Sequence, residues 1–483
     1  MIRTRPSGFR EAGAAEIERR SARPERGNGT IIWQQYSMRY TVKTMRDKQH
    51  AIVVGGGLAG LAAAHALIKS KKCTVTLFES EPVLGGRVQS RMVRGQSVDF
   101  GGFLLYPWYE ETHRLLASLG LSGRIQKTPL SDIYYFLDGN GIATKESDVP
   151  FSIADGVKIW GKSFFQMIPR PNLSAPDLDR FGDATVSQYL RMTLGTDGHA
   201  GLYETFFDTV NQGYCYGPVT ESKASFMAPI VRQVKVHGDI RTTSFFPDGT
   251  RVLVDALAKE IVSLGGTIRV GSPVVGVDGL AVRTGDETIR GDAIVFAQTV
   301  SSDLYRHILP DVSPDCRYTH FVTAAVELDR TPIVGNTLDW GAAFYRPDES
   351  PPFQALSAIR LSSLYGPSLD GCVMINVVIR GRHDETLFPK EIKKIVLDET
   401  IRLFPGNGAG KMVDSIHWTK TMPVSQVSFV RSVRAAHGKN GHFFAGDFLG
   451  APSIETAIAT GAAAARDAIA TASSVSRHMG TSL

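Results

Sequence analysis

The residues with the clearest chemistry are Gly55-Gly56-Gly57-Leu58-Ala59-Gly60 and, further on, Glu79. Backbone without side chains turns tightly and lets a phosphate come close, and a carboxylate at a set distance accepts hydrogen bonds from ribose hydroxyls. The flanks support the pairing. Ala51-Ile52-Val53-Val54 is a short continuous apolar run, the pattern of a strand buried on both faces. Leu61, Ala64, His65 and Ile68 then recur at helical spacing, so the glycines fall where a strand passes into a helix. Gly55 permits the tight turn, Gly57 admits a pyrophosphate, Gly60 lets helix and strand pack closely, and Ala59 belongs to the same candidate set. The helix N-terminus adds free N–H groups and partial positive charge. Thr74-Val75-Thr76-Leu77-Phe78 reads as the second strand, with Glu79 at its end, 19 residues after Gly60. That is the spacing of an acid that binds the adenosine ribose. Strand, helix, second strand and acid in register predict a dinucleotide site, where the glycines alone would be an ordinary turn.

The acid also selects among dinucleotides. A carboxylate at the ribose repels a 2′-phosphate, which disfavours NADP and leaves FAD and NAD. Gly85-Gly86-Arg87 follows Glu79 closely, then Ser90 and Val98-Asp99-Phe100-Gly101-Gly102. A second glycine turn with an arginine brings a cation to the pyrophosphate, and the Gly101-Gly102 pair lets backbone approach a flat ring. A dehydrogenase site needs neither, so FAD is the expected cofactor.

From Glu79 through Arg87, with Gly101-Gly102 beyond, the chain resembles the N-terminal half of the flavin-containing amine oxidase superfamily, which includes monoamine oxidases, protoporphyrinogen oxidases and phytoene-type desaturases. Four later blocks extend the likeness. Phe246-Pro247-Asp248-Gly249-Thr250-Arg251 opens a helix with an apolar stripe at Leu253, Leu257, Ile261 and Leu264, ending at Gly265-Gly266. Gly271 to Val277 is similar to a family strand, and the resemblance implies that the Val274 backbone meets the adenine. Asp292 to Ala297 resembles the last strand of the FAD domain. Finally, His442 to Asp447, Pro452 to Ala457 and Thr460-Gly461 are similar to the C-terminal flavin motif. That match implies that Gly446 and Asp447 meet the phosphate and ribityl region and that a helix starts under the flavin near Ile454. The blocks stand in family order from about residue 50 to 470.

The architecture implied is an α/β fold. A Rossmann-type FAD-binding domain would be built from residues 47–130, 240–305 and 425–472. A discontinuous α+β substrate domain, a mixed sheet plus helices, would come from residues 131–239 and 306–424. We expect the sheet from the second insertion, at runs such as His320 to Leu328 and Cys372 to Ile379, with helices from the first insertion packed over it. The aromatic stretch Phe151, Trp160, Phe164, Phe165 and Met167 would be ordinary core or would line an apolar cavity facing the flavin.

Composition bounds the rest. With 483 residues, 43% hydrophobic and 21% charged, the chain needs more than one core. A net charge of +5, much of the excess near the N-terminus, is no nucleic-acid footprint. Cys73, Cys215, Cys316 and Cys372 are widely spaced with no CxxC, and His113, His199, His237, His307, His320, His383 and His437 lack metal-ligand spacing. No GxSxG supports hydrolase chemistry. Neither a transmembrane run nor a signal peptide is legible, so a cytoplasmic protein is expected, with peripheral membrane contact still allowed. Residues 1–46 mix charges with Gly, Pro and Ser and are expected to be disordered. Translation starting at Met38 or Met45 is an alternative, and an Arg-rich transit peptide a weaker one, because Glu11, Glu16, Glu18 and Glu25 make it acid-rich.

The expected activity is oxidation or desaturation of a mostly apolar small molecule by hydride transfer to non-covalent FAD, with oxygen or a quinone as acceptor. Amine oxidation, flavin use without net oxidation (isomerisation or cyclisation), and a flavin-binding subunit without turnover are the alternatives. Amine oxidases of the family place a lysine near the position of Thr323, and monoamine oxidases an aromatic at that of Ser453. Trp418 with Met422-Pro423 is similar instead to the desaturase and protoporphyrinogen oxidase types. No catalytic side chain is assigned.

Overall fold

Four apolar runs meet in one parallel sheet, because they are too hydrophobic to leave either face in water, and a short, more polar strand completes one edge. In spatial order the strands are His442–Phe444, Ala293–Phe296, Gln49–Val54, Cys73–Phe78 and Thr267–Arg269. The computed structural model describes residues 48–129, 133–136, 143–145, 172–194, 217–238, 240–285, 287–300, 304–305, 308–309, 316–329, 340–344, 353–379, 389–404 and 410–479. The central Gln49–Val54 strand carries Ile52 and Val53 with no exposed surface. The Ala293–Phe296 run is followed in the sheet by one more strand, His442–Phe444, so it is not the last strand of this layer.

Against one face lies the Leu58–Lys69 helix, whose Ala62, Ala63 and Ala64 are buried. Small side chains bring its neighbours close. A Cβ on Gly461, in the Ile454–Met479 helix, would stand 2.2 Å from the Ala59 carbonyl oxygen, so only glycine allows this crossing. The Arg251–Ser263 helix buries Leu253, Val254, Leu257 and Ile261 in the same core. Leu264, expected in that stripe, is 43% exposed, since it falls just past the last helical residue.

A second sheet has seven strands in the order Gly410–Trp418, His320–Leu328, Cys372–Ile379, Phe353–Arg360, Trp340–Phe344, Ile133–Phe136 and Ala143–Lys145. Its pairings are antiparallel except Trp340–Phe344 with Ile133–Phe136, so the sheet is mixed. Two expectations need correction. Strands from the first insertion join this sheet, and the helix that covers it, Pro389–Leu403, comes from the second. Ile392, Val396 and Leu403 of that helix pack on Val322, Ala324, Val326, Val373, Ile375 and Val377. Helices from the first insertion, Val186–Leu194 and Ala224–His237, bury their stripes instead against Tyr106, Trp108 and Tyr109. That aromatic cluster lies before the insertion and offers an apolar partner that the already covered sheet face does not. The expected aromatic run at Phe151, Trp160, Phe164, Phe165 and Met167 lies outside the described residues, as do residues 1–47.

A strand was also expected at Gly271 to Val277. The ladder there starts only at Gly276–Asp278. Gly271 turns at φ +61°, Pro273 has no N–H to give, and the Ser272 N–H donates to the Glu79 carbonyl at 2.8 Å.

Candidate functional site

The ends of the parallel strands open on a cavity of about 820 Å³ that reaches the uncovered face of the second sheet. Gly55, Gly57, Ala59, Glu79, Gly86, Arg87, Gly101, Gly102, Val274, Gly446, Asp447 and Ile454 all line it. Gly60 does not. Its Cβ would stand 1.8 Å from the Gly55 carbonyl oxygen, so its place is in the packing of turn on helix.

The first glycine turn has a demanding geometry. Gly55 sits at φ +110°, and its Cβ would lie 2.8 Å from Ala297 and from the Gln298 nitrogen. Gly56 has no room either, with Leu84 at 2.6 Å and Glu79 at 2.9 Å from a Cβ; sequence reading assigned it no role. Gly57 faces open space, its nearest neighbour being the Gly86 Cα at 4.0 Å, so backbone there is free to meet a ligand. The second turn lies directly on the first: the Gly85 N–H donates to the Gly56 carbonyl at 2.9 Å. Together they make a cradle floored by backbone.

Glu79 is buried and oriented by that cradle. Its Oε2 accepts the Gly56 N–H at 2.6 Å, and its Oε1 accepts the Glu81 N–H at 2.9 Å and the Ser80 hydroxyl at 3.1 Å. A carboxylate held this way presents its remaining lone pairs to the cavity.

Arg87 and Asp447 meet although sequence reading assigned them separately. Both Nη atoms reach the Asp447 carboxylate at 2.7 Å, and Nη1 also donates to the Thr421 carbonyl. Burial works against the Arg87 charge, but the Asp447 carboxylate outweighs it and holds the guanidinium pKa above its ordinary value. Gly101 was expected to let backbone approach a ring. Its Cβ would instead stand 2.0 Å from the Arg87 carbonyl oxygen, so its bareness serves the packing of the arginine turn. Gly102 faces Ile454 at ordinary contact distance.

The C-terminal motif is held by its own hydroxyls. The Gly446 N–H donates to Thr460 Oγ1 at 2.9 Å. Ser453 Oγ accepts the Thr456 N–H at 3.0 Å, which makes Ser453 the cap of the Ile454–Met479 helix. Glu455 turns away to accept the Glu111 and Thr112 N–H groups, each at 2.9 Å, capping the Glu110–Ser118 helix.

One important group escaped sequence reading. Asp99 is buried and accepts Ser90 Oγ (2.6 Å) and the Thr250 N–H (2.8 Å) on Oδ1, and Thr250 Oγ1 (3.1 Å) and Tyr365 OH (3.2 Å) on Oδ2. It ties a strand end and the start of the Arg251–Ser263 helix to the Leu361–Tyr365 helix, which leads into the second sheet. Burial pushes its pKa up to about 6, against the pull of those hydrogen bonds. The only signal for it in the sequence is a lone acid inside the apolar run Val98-Asp99-Phe100.

Across from the glycine turns the cavity wall carries Phe321, Ile359, Leu361, Met374, Ile416 and Trp418, with the polar Asn376 and His417 set among them. Thr323 is buried beneath it and accepts the Trp418 indole N–H at 3.3 Å. Among the described residues no group of three or more His, Cys, Asp and Glu could hold a metal, and no helix is long and apolar enough to cross a membrane.

A parallel sheet whose strand ends carry a bare glycine cradle and a buried acid, facing an apolar second sheet, defines an α/β dinucleotide-binding oxidoreductase fold. The family described as flavin containing amine oxidoreductase matches residues 58–469, and the chain belongs to it. It is an FAD-dependent oxidoreductase. Protoporphyrinogen oxidase 2, chloroplastic/mitochondrial, of Arabidopsis thaliana is 23% identical over 476 residues, 86% of this chain and 92% of that one. Among solved structures, a conjugated-linoleic-acid (CLA)-producing fatty acid isomerase from P. acnes has a TM-score of 0.65 at 14% identity, covering 86% of this chain and 97% of its own. Cyclohexylamine oxidase from Brevibacterium oxydans IH-35A has a TM-score of 0.61 at 18% identity, covering 89% and 100%. Likenesses at these identities concern the fold.

The residues fit FAD. Gly57 leaves the cradle open to a phosphate, Glu79 offers an oriented carboxylate, and the cavity continues from the cradle to a wall whose large side chains would shelter a flat ring.

Proposed function

We propose that this chain oxidises or desaturates a mostly apolar small molecule at the cavity wall formed by the second sheet. The observation that carries this reading is that wall, where six large apolar side chains face the glycine cradle. Bound FAD would supply a two-electron acceptor, taking a hydride from the substrate while a proton leaves to solvent, with oxygen or a quinone as the final acceptor. The protein orients and excludes water. In the proposed map Glu79 holds the adenosine ribose, and the Val274 backbone meets the adenine. Gly57, Ala59, Gly86 and the start of the Leu58–Lys69 helix surround the pyrophosphate. Gly446 and Asp447 lie toward the ribityl chain, and Ile454 lies under the ring. Arg87 acts on this site through Asp447. The buried thiols of Cys73, Cys316 and Cys372, unpaired in the structure, support a reducing cytoplasmic location.

The test is to purify the protein, record its visible spectrum and screen apolar compounds and amines for anaerobic bleaching of the flavin. Bleaching by an apolar compound supports the reading. Turnover without bleaching identifies an isomerase or cyclase, and bleaching by amines alone overturns the substrate class.

A further inference from the structure

The residues just past the parallel strands form a row. Crossing the sheet from Cys73–Phe78 to His442–Phe444, they are Glu79, Gly55 to Gly57, Gln298, and Gly446-Asp447. Three of these places have a part in the proposed map. The third in the row, Gln298, has none.

Gln298 is fixed against the glycine turn. The Ala297 N–H donates to the Val54 carbonyl at 2.8 Å, and the Gln298 nitrogen lies 2.8 Å from where a Gly55 Cβ would stand. The residue lines the cavity. Its Oε1 and Nε2 are both shielded from solvent, and among the described residues neither has a hydrogen-bond partner. A buried carboxamide with both halves unpaired lowers the stability of the fold that carries it. A turn of this side chain, which already lines the cavity, would present one acceptor and two donors to a ligand there.

That pairing selects the ligand atoms. Phosphate oxygens only accept at neutral pH, so they match Nε2 and leave Oε1 orphaned. Vicinal hydroxyls donate and accept, and so satisfy both. In the row Gln298 stands between the glycine turn and Asp447, where a chain running from pyrophosphate to ring must pass. We propose that the Gln298 carboxamide binds the ribityl hydroxyls of FAD, a cofactor contact at the third strand end. The proposal rests on the reading of this cavity as the FAD site.

The test uses the full-length chain, stripped of flavin and titrated with FAD or with ADP, which lacks the ribityl chain and the ring. Gln298→Leu and the closer shape match Gln298→Met are compared with wild type. Both should weaken FAD by roughly tenfold or more while leaving ADP within about twofold. Both should also unfold at equal or higher urea than wild type when flavin-free, because an unpaired buried amide has been removed. Wild-type affinity for FAD in Gln298→Met, or equal losses for FAD and ADP, would overturn the proposal alone. Wild-type protein that binds ADP but not FAD would overturn the FAD reading, and the proposal with it.

Discussion

Arg87 and Asp447, 360 positions apart in the chain, form a two-point ion pair with both N···O distances at 2.7 Å. The pair joins the second glycine turn to the C-terminal motif, and both residues line the cavity. Neither side chain is more than a third exposed. Removing Arg87 leaves the buried Asp447 carboxylate unpaired, at a cost of about 3 kcal/mol, while removing Asp447 strands an arginine that is 30% exposed, at a smaller cost. Arg87→Ala and Asp447→Ala should each lower the urea midpoint and the retention of FAD. The double variant should lose less than the sum of the two, and additive losses in the cycle would show that the pair contributes nothing of its own.

Glu79 is held by three donors and oriented toward the cavity. On the proposed map its loss would leave ribose hydroxyls unmatched, at about 1 to 3 kcal/mol. Glu79→Ala should therefore bind FAD roughly ten- to a hundredfold more weakly. Full flavin occupancy in the purified variant would place the adenosine elsewhere.

Asp99 predicts a pH dependence of stability. Burial raises its folded-state pKa to about 6, above the ordinary carboxylate value of the unfolded chain. The native state therefore holds this proton more tightly, and wild-type stability from this group falls as pH rises from about 4 to 6, then levels off. Asp99→Asn removes that titration. Its stability relative to wild type should improve by about 2 to 3 kcal/mol between pH 4 and 6.5. Urea midpoints at four pH values read this directly; parallel curves would show that the hydrogen bonds to Asp99 offset its burial, and a reversed slope that they outweigh it.

FAD should leave the protein without bond cleavage. In the family, covalent attachment uses a cysteine in the segment before the C-terminal motif, and residues 411–447 contain none. The Cys316 thiol is buried against Ser425, its pKa pushed up to about 11 by burial, which disfavours the reactive thiolate. Acid precipitation should put all yellow colour in the supernatant; a coloured pellet would contradict this.

Simple amines should be poor substrates. Thr323, near the family's lysine position, is an uncharged residue buried beneath Trp418, and Ser453, at the place of the monoamine oxidase aromatic, is spent as a helix cap. One aromatic wall is worth roughly 0.5 to 2 kcal/mol to a cationic amine. Benzylamine, a monoamine or a polyamine that reduces the flavin rapidly without oxygen, and yields peroxide on admitting air, would reverse this conclusion.

Local signals were enough for much of the molecule. A continuous apolar run, a glycine turn and a helical stripe are each written in a dozen neighbouring residues, so Gln49–Val54, Leu58–Lys69 and Cys73–Phe78 were legible, as were His320–Leu328 and Cys372–Ile379. The candidate site residues were picked from the same local signals, and all of them but Gly60 line one cavity. What tertiary structure decided is who meets whom. Gly101 is bare because of the Arg87 carbonyl, Arg87 answers Asp447, Glu455 caps a helix more than 340 positions earlier, and Asp99 ties a strand end to the distant Leu361–Tyr365 helix. No periodicity encodes such pairings, because a hydrogen bond or a close contact depends on separation in space and is indifferent to separation along the chain. The cover of the second sheet went the same way: two sets of amphipathic helices could fill that face, and the aromatic cluster at Tyr106, Trp108 and Tyr109 took one of them.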